Sequence, residues 1–339
     1  MSQLKKCIIW DLDNTLWDGV CLEGPVTVRQ DVVASIGELD RRGILHSIAS
    51  RGEFDVAMNA LKENQLEEYF LTPRINWLPK SRNITSITHD LDISLDAVAF
   101  IDDDPFEREQ VEYMLPEVVT IPSEEAGSLP ARADLSPAHV TREASRRRDY
   151  YHSEMVRKEA ETHFASREQF LASCGMRLTI RPMGTGDIPR VQELMTRTHQ
   201  LNTTGLMLAG EELTQLLSSP PGGVRVVVAE LRDKFGEYGI VGTAMIESLP
   251  SRWRLTYLAV SCRVMGRGVE RAILSALVRS ETREGFEASF RDTGRNRMMR
   301  ALYQMMGFTE HSRQAEGHTI IFQAPASRVP PVPRWIRIE

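Results

Sequence analysis

Cysteine is scarce in this chain and nowhere clustered: Cys7, Cys21, Cys174 and Cys262 are four among 339 residues, with no C-x-x-C pair. That scatter excludes a cysteine-paired zinc site and a disulfide framework. Each thiol is expected to pack as a small apolar group unless its surroundings activate it. Long apolar runs are missing too, none approaching the roughly 20 residues of a membrane span, so no membrane role is expected. The opening Met1-Ser-Gln-Leu-Lys-Lys-Cys7 leads straight into a short apolar strand rather than a signal-peptide core, and a cytoplasmic protein is expected. Internal repeats are absent. A chain this long with an ordinary globular composition suggests about two domains.

Charge is unevenly spread. Before residue 140 acids outnumber bases roughly two to one. Between Arg252 and Arg300 the balance reverses through Arg263, Arg267, Arg271, Arg279, Arg291, Arg295, Arg297 and Arg300. A basic surface on an acidic protein suits an acidic or phosphate-bearing partner. Nucleic acid is not expected, because no aromatic-interleaved basic stripe accompanies the arginines.

Apolar runs alternate with helical spacing along the first part. Cys7 to Asp11, Ile44 to Ser50 and Ala97 to Ile101 read as strands; Asp31 to Arg42, Phe54 to Leu61, Ser81 to Leu91 and a segment opened by Pro105 read as helices. The expected fold is α/β, a parallel Rossmann-like sheet over residues 1–135. Pro122 to Pro137 reads as an irregular linker, and 136–175 as linker and bridging helix. A second α/β domain is expected over 176–325, with strands from Met176, a hairpin from Val224 to Glu247 turning at Gly236 and Gly239, a strand Arg254 to Val260, a helix after Gly268, a strand Phe286 to Phe290, a helix from Asn296 and a last strand near Thr319. The tail, 326–339, is rich in proline and expected to stay irregular.

Asp11, Ser50 and Asp102-Asp103 stand where apolar strands end. If those strands are neighbours in one parallel sheet, the three converge on one crevice, where such sheets bind ligands. The residue types suit phosphoryl transfer: Asp11 as nucleophile, Asp13 as general acid and base, Ser50 and Lys80 for phosphate oxygens, and a hard cation such as magnesium among the carboxylates.

The blocks Asp11-Leu-Asp13-Asn-Thr15, Ser50, Lys80 and Ile101-Asp102-Asp103 resemble the four motifs of the haloacid-dehalogenase superfamily. That resemblance implies Asp11 as nucleophile, Asp13 as acid/base, and magnesium held by Asp11, the Asp13 carbonyl and Asp102 or Asp103. Only Trp17 to Thr27 separates the first motif from the next helix, leaving no room for a large cap. Longer blocks, Ile75-Asn-Trp-Leu-Pro-Lys80-Ser, Phe100 to Glu109, Gln200-Leu-Asn-Thr-Thr-Gly205 and Ser261 to Gly268, resemble the FkbH family of polyketide biosynthesis over roughly residues 5 to 325. Members are implied to dephosphorylate 1,3-bisphosphoglycerate and load the glyceryl unit as a thioester on an acyl carrier protein.

The C-terminal part is similar to GCN5-like acyltransferases: Asn296 to Phe308 looks like their final helix and turn, and Arg263-Val-Met-Gly266-Arg-Gly268 like their pyrophosphate loop. The loop departs from the pattern, with Met265 at a basic position and Glu270 at a small one, which argues against acetyl-CoA but leaves Arg263, Gly266 and Gly268 for a carrier's pantetheine arm. A thioester route needs a thiol. Cys262, beside Arg263 and expected near a helix N-terminus that would lower its pKa, is the candidate acyl-carrying nucleophile. Two other readings stand: a plain phosphatase of a small metabolite with a C-terminal binding module, and a non-catalytic docking protein.

Overall fold

The computed structural model describes residues 4–137, 140–218, 223–280, 285–314 and 318–339. The chain forms two units, Met1–Met155 and Val156–Glu339, both α/β.

In the first unit β1 (Cys7–Trp10) runs through the centre of a five-stranded parallel sheet. A short ribbon, β2 (Trp17–Asp18) with β3 (Thr27–Val28), follows, then α1 (Gln30–Arg41), β4 (Leu45–Ser50), α2 (Phe54–Glu63), β5 (Arg74–Ile75), α3 (Lys80–Asp90), β6 (Val98–Asp102), α4 (Pro105–Met114) and β7 (Val119–Pro122). The order β5-β4-β1-β6-β7 puts β4 and β6 on either side of β1, so the winding direction reverses at β1 and opens a crevice beyond its carboxyl end. β1 is apolar throughout because both its faces are covered. Ile8 and Trp10 pack with Val32, Ile36 and Leu39 of α1, while Cys7 and Ile9 pack with Ile84 and Ile87 of α3.

The expected linker is not one. Ser123–Ala131 and Ala133–Leu135 are 3-10 segments, and Ala126, Leu129 and Leu135 are wholly buried in the same core as α1. Ala126 and Leu129 lie three apart, the period of a 3-10 turn, a pattern that shows neither helical nor strand spacing in the sequence. The first unit also continues past residue 135. Thr141 caps α5 (Arg142–Ser145), and from α6 (Arg147–Glu161) Arg148 pairs with Asp40 at 3.1 Å and Tyr151 donates to the Leu91 carbonyl at 3.1 Å.

The second unit contains α7 (Arg167–Ser173), β8 (Met176–Pro182), α8 (Ile188–Arg197), α9 (Gly210–Ser218), β9 (Arg225–Asp233), β10 (Gly236–Ser248), β11 (Trp253–Val260), α10 (Val269–Ser280), β12 (Phe286–Arg291), α11 (Arg297–Met305), β13 (Thr309–Gln314), β14 (Thr319–Ala324) and β15 (Ile336–Ile338). The strands form a mixed sheet in the order β13-β14-β12-β11-β10-β9-β8-β15. The hairpin turns between Asp233 and Gly236; Gly239, expected in that turn, sits instead at a bulge inside β10 with φ +62°. The tail is not irregular either. Its prolines stop at Pro333, and Ile336–Ile338 adds to β8 as a parallel edge strand, with Val329 and Ile336 buried. Among the described residues no helix is long and apolar enough to cross a membrane.

His46 within β4 carries a pH prediction. It is fully buried and accepts a hydrogen bond at Nδ1 from Trp10 Nε1 at 3.0 Å, so its native form is neutral. Burial pushes it down to about 3, whereas the unfolded chain titrates near 6.5. A depressed native pKa means that this stability is whole above about pH 6.5 and declines as the unfolded state takes up a proton toward pH 3. The urea midpoint is expected to be lower at pH 5 than at pH 7.5. His46→Gln should flatten that slope; an unchanged slope contradicts the assignment.

Candidate active site

The crevice at the end of β1 gathers the residues that its neighbours end on. Asp11 follows β1 directly, its N–H donating to the Ile101 carbonyl at 2.9 Å. Ser50 closes β4 and Asp102 closes β6, the two strands flanking β1. Lys80 opens α3 after Pro79, which cannot donate a hydrogen bond and is at ease beside a helix start.

Lys80 Nζ lies 2.7 Å from Asp11 Oδ1 and 2.5 Å from Asp102 Oδ2, and all three side chains are buried. Asp102 Oδ1 accepts from the Asp104 N–H at 2.9 Å. Burial pushes the Asp11 carboxyl up to about 7, with the Asp102 charge adding to the rise and Lys80 and the Ser50 hydroxyl opposing it. Asp102 and Asp103 are likewise raised, chiefly by burial. Burial disfavours the Lys80 charge, but the two carboxylates more than offset it and its pKa rises. A buried cation between buried carboxylates is stable only as a set, since each charge answers the desolvation of the others.

Asp11, Asp102 and Asp103 each offer one carboxylate oxygen, all within 4.8 Å of one another. An all-oxygen anionic donor set of this size fits a hard divalent cation. Asp13 sits at the mouth of the ribbon. Its Oδ1 accepts from Trp17 Nε1 at 2.8 Å and from the Cys21 N–H at 3.0 Å, which fixes the carboxylate and leaves Oδ2 outside those bonds. Between Asp13 and α1 only the two-residue strands of the ribbon intervene.

Three supporting residues were missed by sequence reasoning. Arg51 pairs with the buried Glu107 at 2.6 Å, and Arg108 donates to the carbonyls of Asp102 at 2.7 Å and Asp103 at 2.9 Å. Arg108 belongs to α4, which Asp104 caps by accepting from the Phe106 N–H at 2.9 Å. No sequence spacing marks a helix arginine that reaches back to hold its own leading loop.

The second unit departs from expectation at Cys262. The thiol is exposed and free, but no α-helix starts beside it. Cys262–Val264 is a single 3-10 turn and α10 begins only at Val269, because Gly266 and Gly268 take φ of +76° and +80°, which a right-handed helix does not accommodate. Arg263 follows on the same turn, its N–H donating to the Ser261 hydroxyl at 3.4 Å. The loop carbonyls are already engaged: Arg167 donates to Gly266 at 3.3 Å, Trp335 Nε1 to Arg267 at 2.8 Å and the Arg267 side chain to Arg263 at 3.1 Å. A Cβ at Gly266 would lie 2.6 Å from Arg167 Nη2. Cys7 and Cys174 are buried. Burial, with Asp13 beside it, pushes the Cys21 thiol up to about 11. Part of the arginine excess is neutralised internally, Arg252 and Arg254 by Glu287 and Arg300 by Glu310.

No protein-family model matches the chain, and no curated protein matches it. Solved structures do resemble parts of it. One is the N-terminal part of protein BF1531 from Bacteroides fragilis, described as containing a phosphatase domain and complexed with Mg: it is 28% identical, with a TM-score of 0.36, over 40% of this chain and 40% of that one. The match thus spans well under half of that structure's length. The ribosomal-protein-S18-alanine N-acetyltransferase from Escherichia coli is 19% identical over 44% of this chain and 94% of its own, TM-score 0.34. A putative acetyltransferase of the GNAT family from Desulfovibrio desulfuricans is 19% identical over 44% and 99%, TM-score 0.35.

Proposed function

We propose that the first unit is a magnesium-dependent phosphoryl-transfer enzyme with Asp11 as nucleophile. The observation that carries this is the buried Asp11–Lys80–Asp102 set, with Asp103, at the switch point of a parallel sheet. Magnesium bound by Asp11, the Asp13 carbonyl and Asp102 or Asp103 would neutralise charge on the transferring phosphoryl group. An Asp11 carboxylate oxygen attacks phosphorus as the bond to the leaving oxygen breaks, and Asp13 Oδ2 gives that oxygen a proton. Asp13 then takes a proton from water, which attacks the aspartyl phosphate, releases inorganic phosphate and restores Asp11. Lys80 lies against Asp11 and opposes the rise in its pKa, and Ser50 offers a hydroxyl to a phosphate oxygen.

The finer reading follows the sequence resemblance. The substrate is 1,3-bisphosphoglycerate: a thiol of this chain loses its proton and attacks the C1 acyl carbon as the C1–O bond breaks and inorganic phosphate leaves, Asp11 removes the C3 phosphate, and the phosphopantetheine thiol of an acyl carrier protein then displaces the glyceryl group from the first thiol. Cys262, the exposed cysteine, is the acyl-carrying residue on this reading. Its test is intact-protein mass measurement after mixing the chain with magnesium, 1,3-bisphosphoglycerate and a carrier protein. The wild type is expected to form a glyceryl adduct and to load the carrier, and Cys262→Ala to do neither while still releasing phosphate. A carrier loaded at the wild-type rate by Cys262→Ala would overturn the role of that thiol. The absence of an α-helix start beside Cys262 favours a second reading, a phosphatase whose C-terminal unit only binds a partner; it predicts phosphate release with no carrier mass change in either protein.

A further inference from the structure

The sheet of the second unit is divided between β11 and β12. These strands run parallel but pair only over Trp253–Leu255 with Phe286–Ala288. Beyond that point β11 stays paired with β10 up to Val260, and β12 with β14 up to Arg291, while no ladder joins β11 to β12. Parted strands inside a sheet leave backbone N–H and C=O groups facing the gap, and buried groups of this kind must find partners. The natural occupant is an extended chain with amides of its own, added as a strand. The pantetheine arm of coenzyme A or of a carrier protein has that form.

Here the chain fills the gap itself. The Val260 N–H donates to the Leu201 carbonyl at 2.9 Å, and the Thr203 N–H to the Leu258 carbonyl at 3.0 Å. The Leu258 N–H donates to Thr203 Oγ1 at 2.9 Å, and Asn202 lies opposite Ala259 in an antiparallel bridge. On the other side the Arg291 N–H donates to the Thr203 carbonyl at 3.0 Å. Thr203 thus spans from one strand to the other. Asn296, at the start of α11, locks the segment by donating to the carbonyls of Asn202 at 2.8 Å, Thr203 at 3.3 Å and Arg291 at 2.9 Å. Asn202 Nδ2 bonds Tyr257 Oη at 3.2 Å, and Asn202 Oδ1 accepts from the Gly205 N–H at 2.8 Å. Asn202, Thr203 and Asn296 are at most 2% exposed. Tyr303, also wholly buried, donates to the Ser289 carbonyl at 3.3 Å, and burial holds its phenol well above the usual range, so it gives up no proton near neutral pH.

We infer that Leu201–Thr203 is a built-in occupant of the β11–β12 gap, and that the second unit therefore does not seat coenzyme A or a pantetheine arm within its sheet. The backbone positions on β11 that an inserted arm would use, Leu258 and Val260, are the ones the chain has taken. A carrier protein, on this account, is met at the surface of the unit, its arm remaining outside the sheet. The inference concerns the second unit alone and stands whether or not Asp11 transfers phosphate.

Hydrogen–deuterium exchange on the full chain, with and without excess coenzyme A as the probe, tests it. The amides of Thr203, Leu258, Val260 and Arg291 are expected to exchange slowly in the free chain and to be unchanged by coenzyme A, with no saturable heat on titration. Asn296→Ala removes the bonds that lock the segment and is expected to speed exchange at Thr203 and Arg291 by more than about tenfold. Fast exchange at Leu258 and Val260 in the free chain, slowed when coenzyme A is added, would overturn the inference, as would saturable coenzyme A binding. Should Asn296→Ala fail to fold, the wild-type exchange pattern still decides.

Discussion

Asp11→Asn is expected to lower release of the C3 phosphate of 1,3-bisphosphoglycerate by at least about a thousandfold, the scale on which removal of a covalent nucleophile is felt. Asparagine has nearly the same shape, keeps the backbone bond from Asp11 to Ile101 and leaves Lys80 paired with Asp102, but its amide cannot attack phosphorus. The loss should therefore appear in kcat with little change in thermal unfolding. Release of that phosphate by Asp11→Asn near the wild-type rate would take the nucleophile's role from Asp11, whereas no release by either protein, with metal affinity altered at most, is what the docking reading predicts.

Lys80→Met is expected to act on stability as well as on rate. Lys80 is the cation between Asp11 and Asp102, within 2.7 Å of one and 2.5 Å of the other. Methionine fills much of the volume but leaves two buried carboxylates facing each other, and breaking a buried charge set from one side costs about 3–5 kcal/mol. In urea unfolding without divalent cation the midpoint should fall accordingly. The double variant Asp11→Asn with Lys80→Met should recover part of the loss, because one of the stranded charges is gone; such non-additivity is the signature of coupled neighbours. Magnesium should stabilise Lys80→Met more than the wild type, since the added cation takes over part of the role of the amine. Equal effects of the single and double variants would mean that the three groups do not act as a set.

The first unit was legible because its central strands are apolar on both faces and end in chemistry. Cys7–Trp10 and Val98–Asp102 are continuous buried runs, and the position of Asp11, Ser50 and Asp102 at strand ends follows once those strands are adjacent. Elements whose residues do not alternate or repeat were lost. β13 is polar and exposed along its whole length, so nothing in its composition separates it from a loop. β15 hides behind a run of prolines, and Ser123–Leu135 packs on a three-residue period broken by Pro130. Leu201–Thr203 is the instructive case. Gln200 to Gly205 stands out as a block in the sequence, yet its polar side chains suggest a surface turn. Asn202 and Thr203 are buried because they serve as hydrogen-bonding partners for two parted strands, a role visible only when β11 and β12 are placed in space. The setting of Cys262 was legible only in part. α10 begins at Val269, after Gly268 as the sequence suggests, and the turn residues Gly266 and Gly268 at positive φ separate it from Cys262, which lies on an isolated 3-10 turn.

The central claim is a covalent phosphoryl group on Asp11, and rapid quench followed by peptide mass mapping tests it most directly. With magnesium and 1,3-bisphosphoglycerate, a single phosphoryl adduct is expected on the peptide carrying Asp11, formed within one turnover, decaying as inorganic phosphate appears and missing from Asp11→Asn. Turnover with no adduct on that peptide at any quench time, or an adduct that survives in Asp11→Asn, would contradict it.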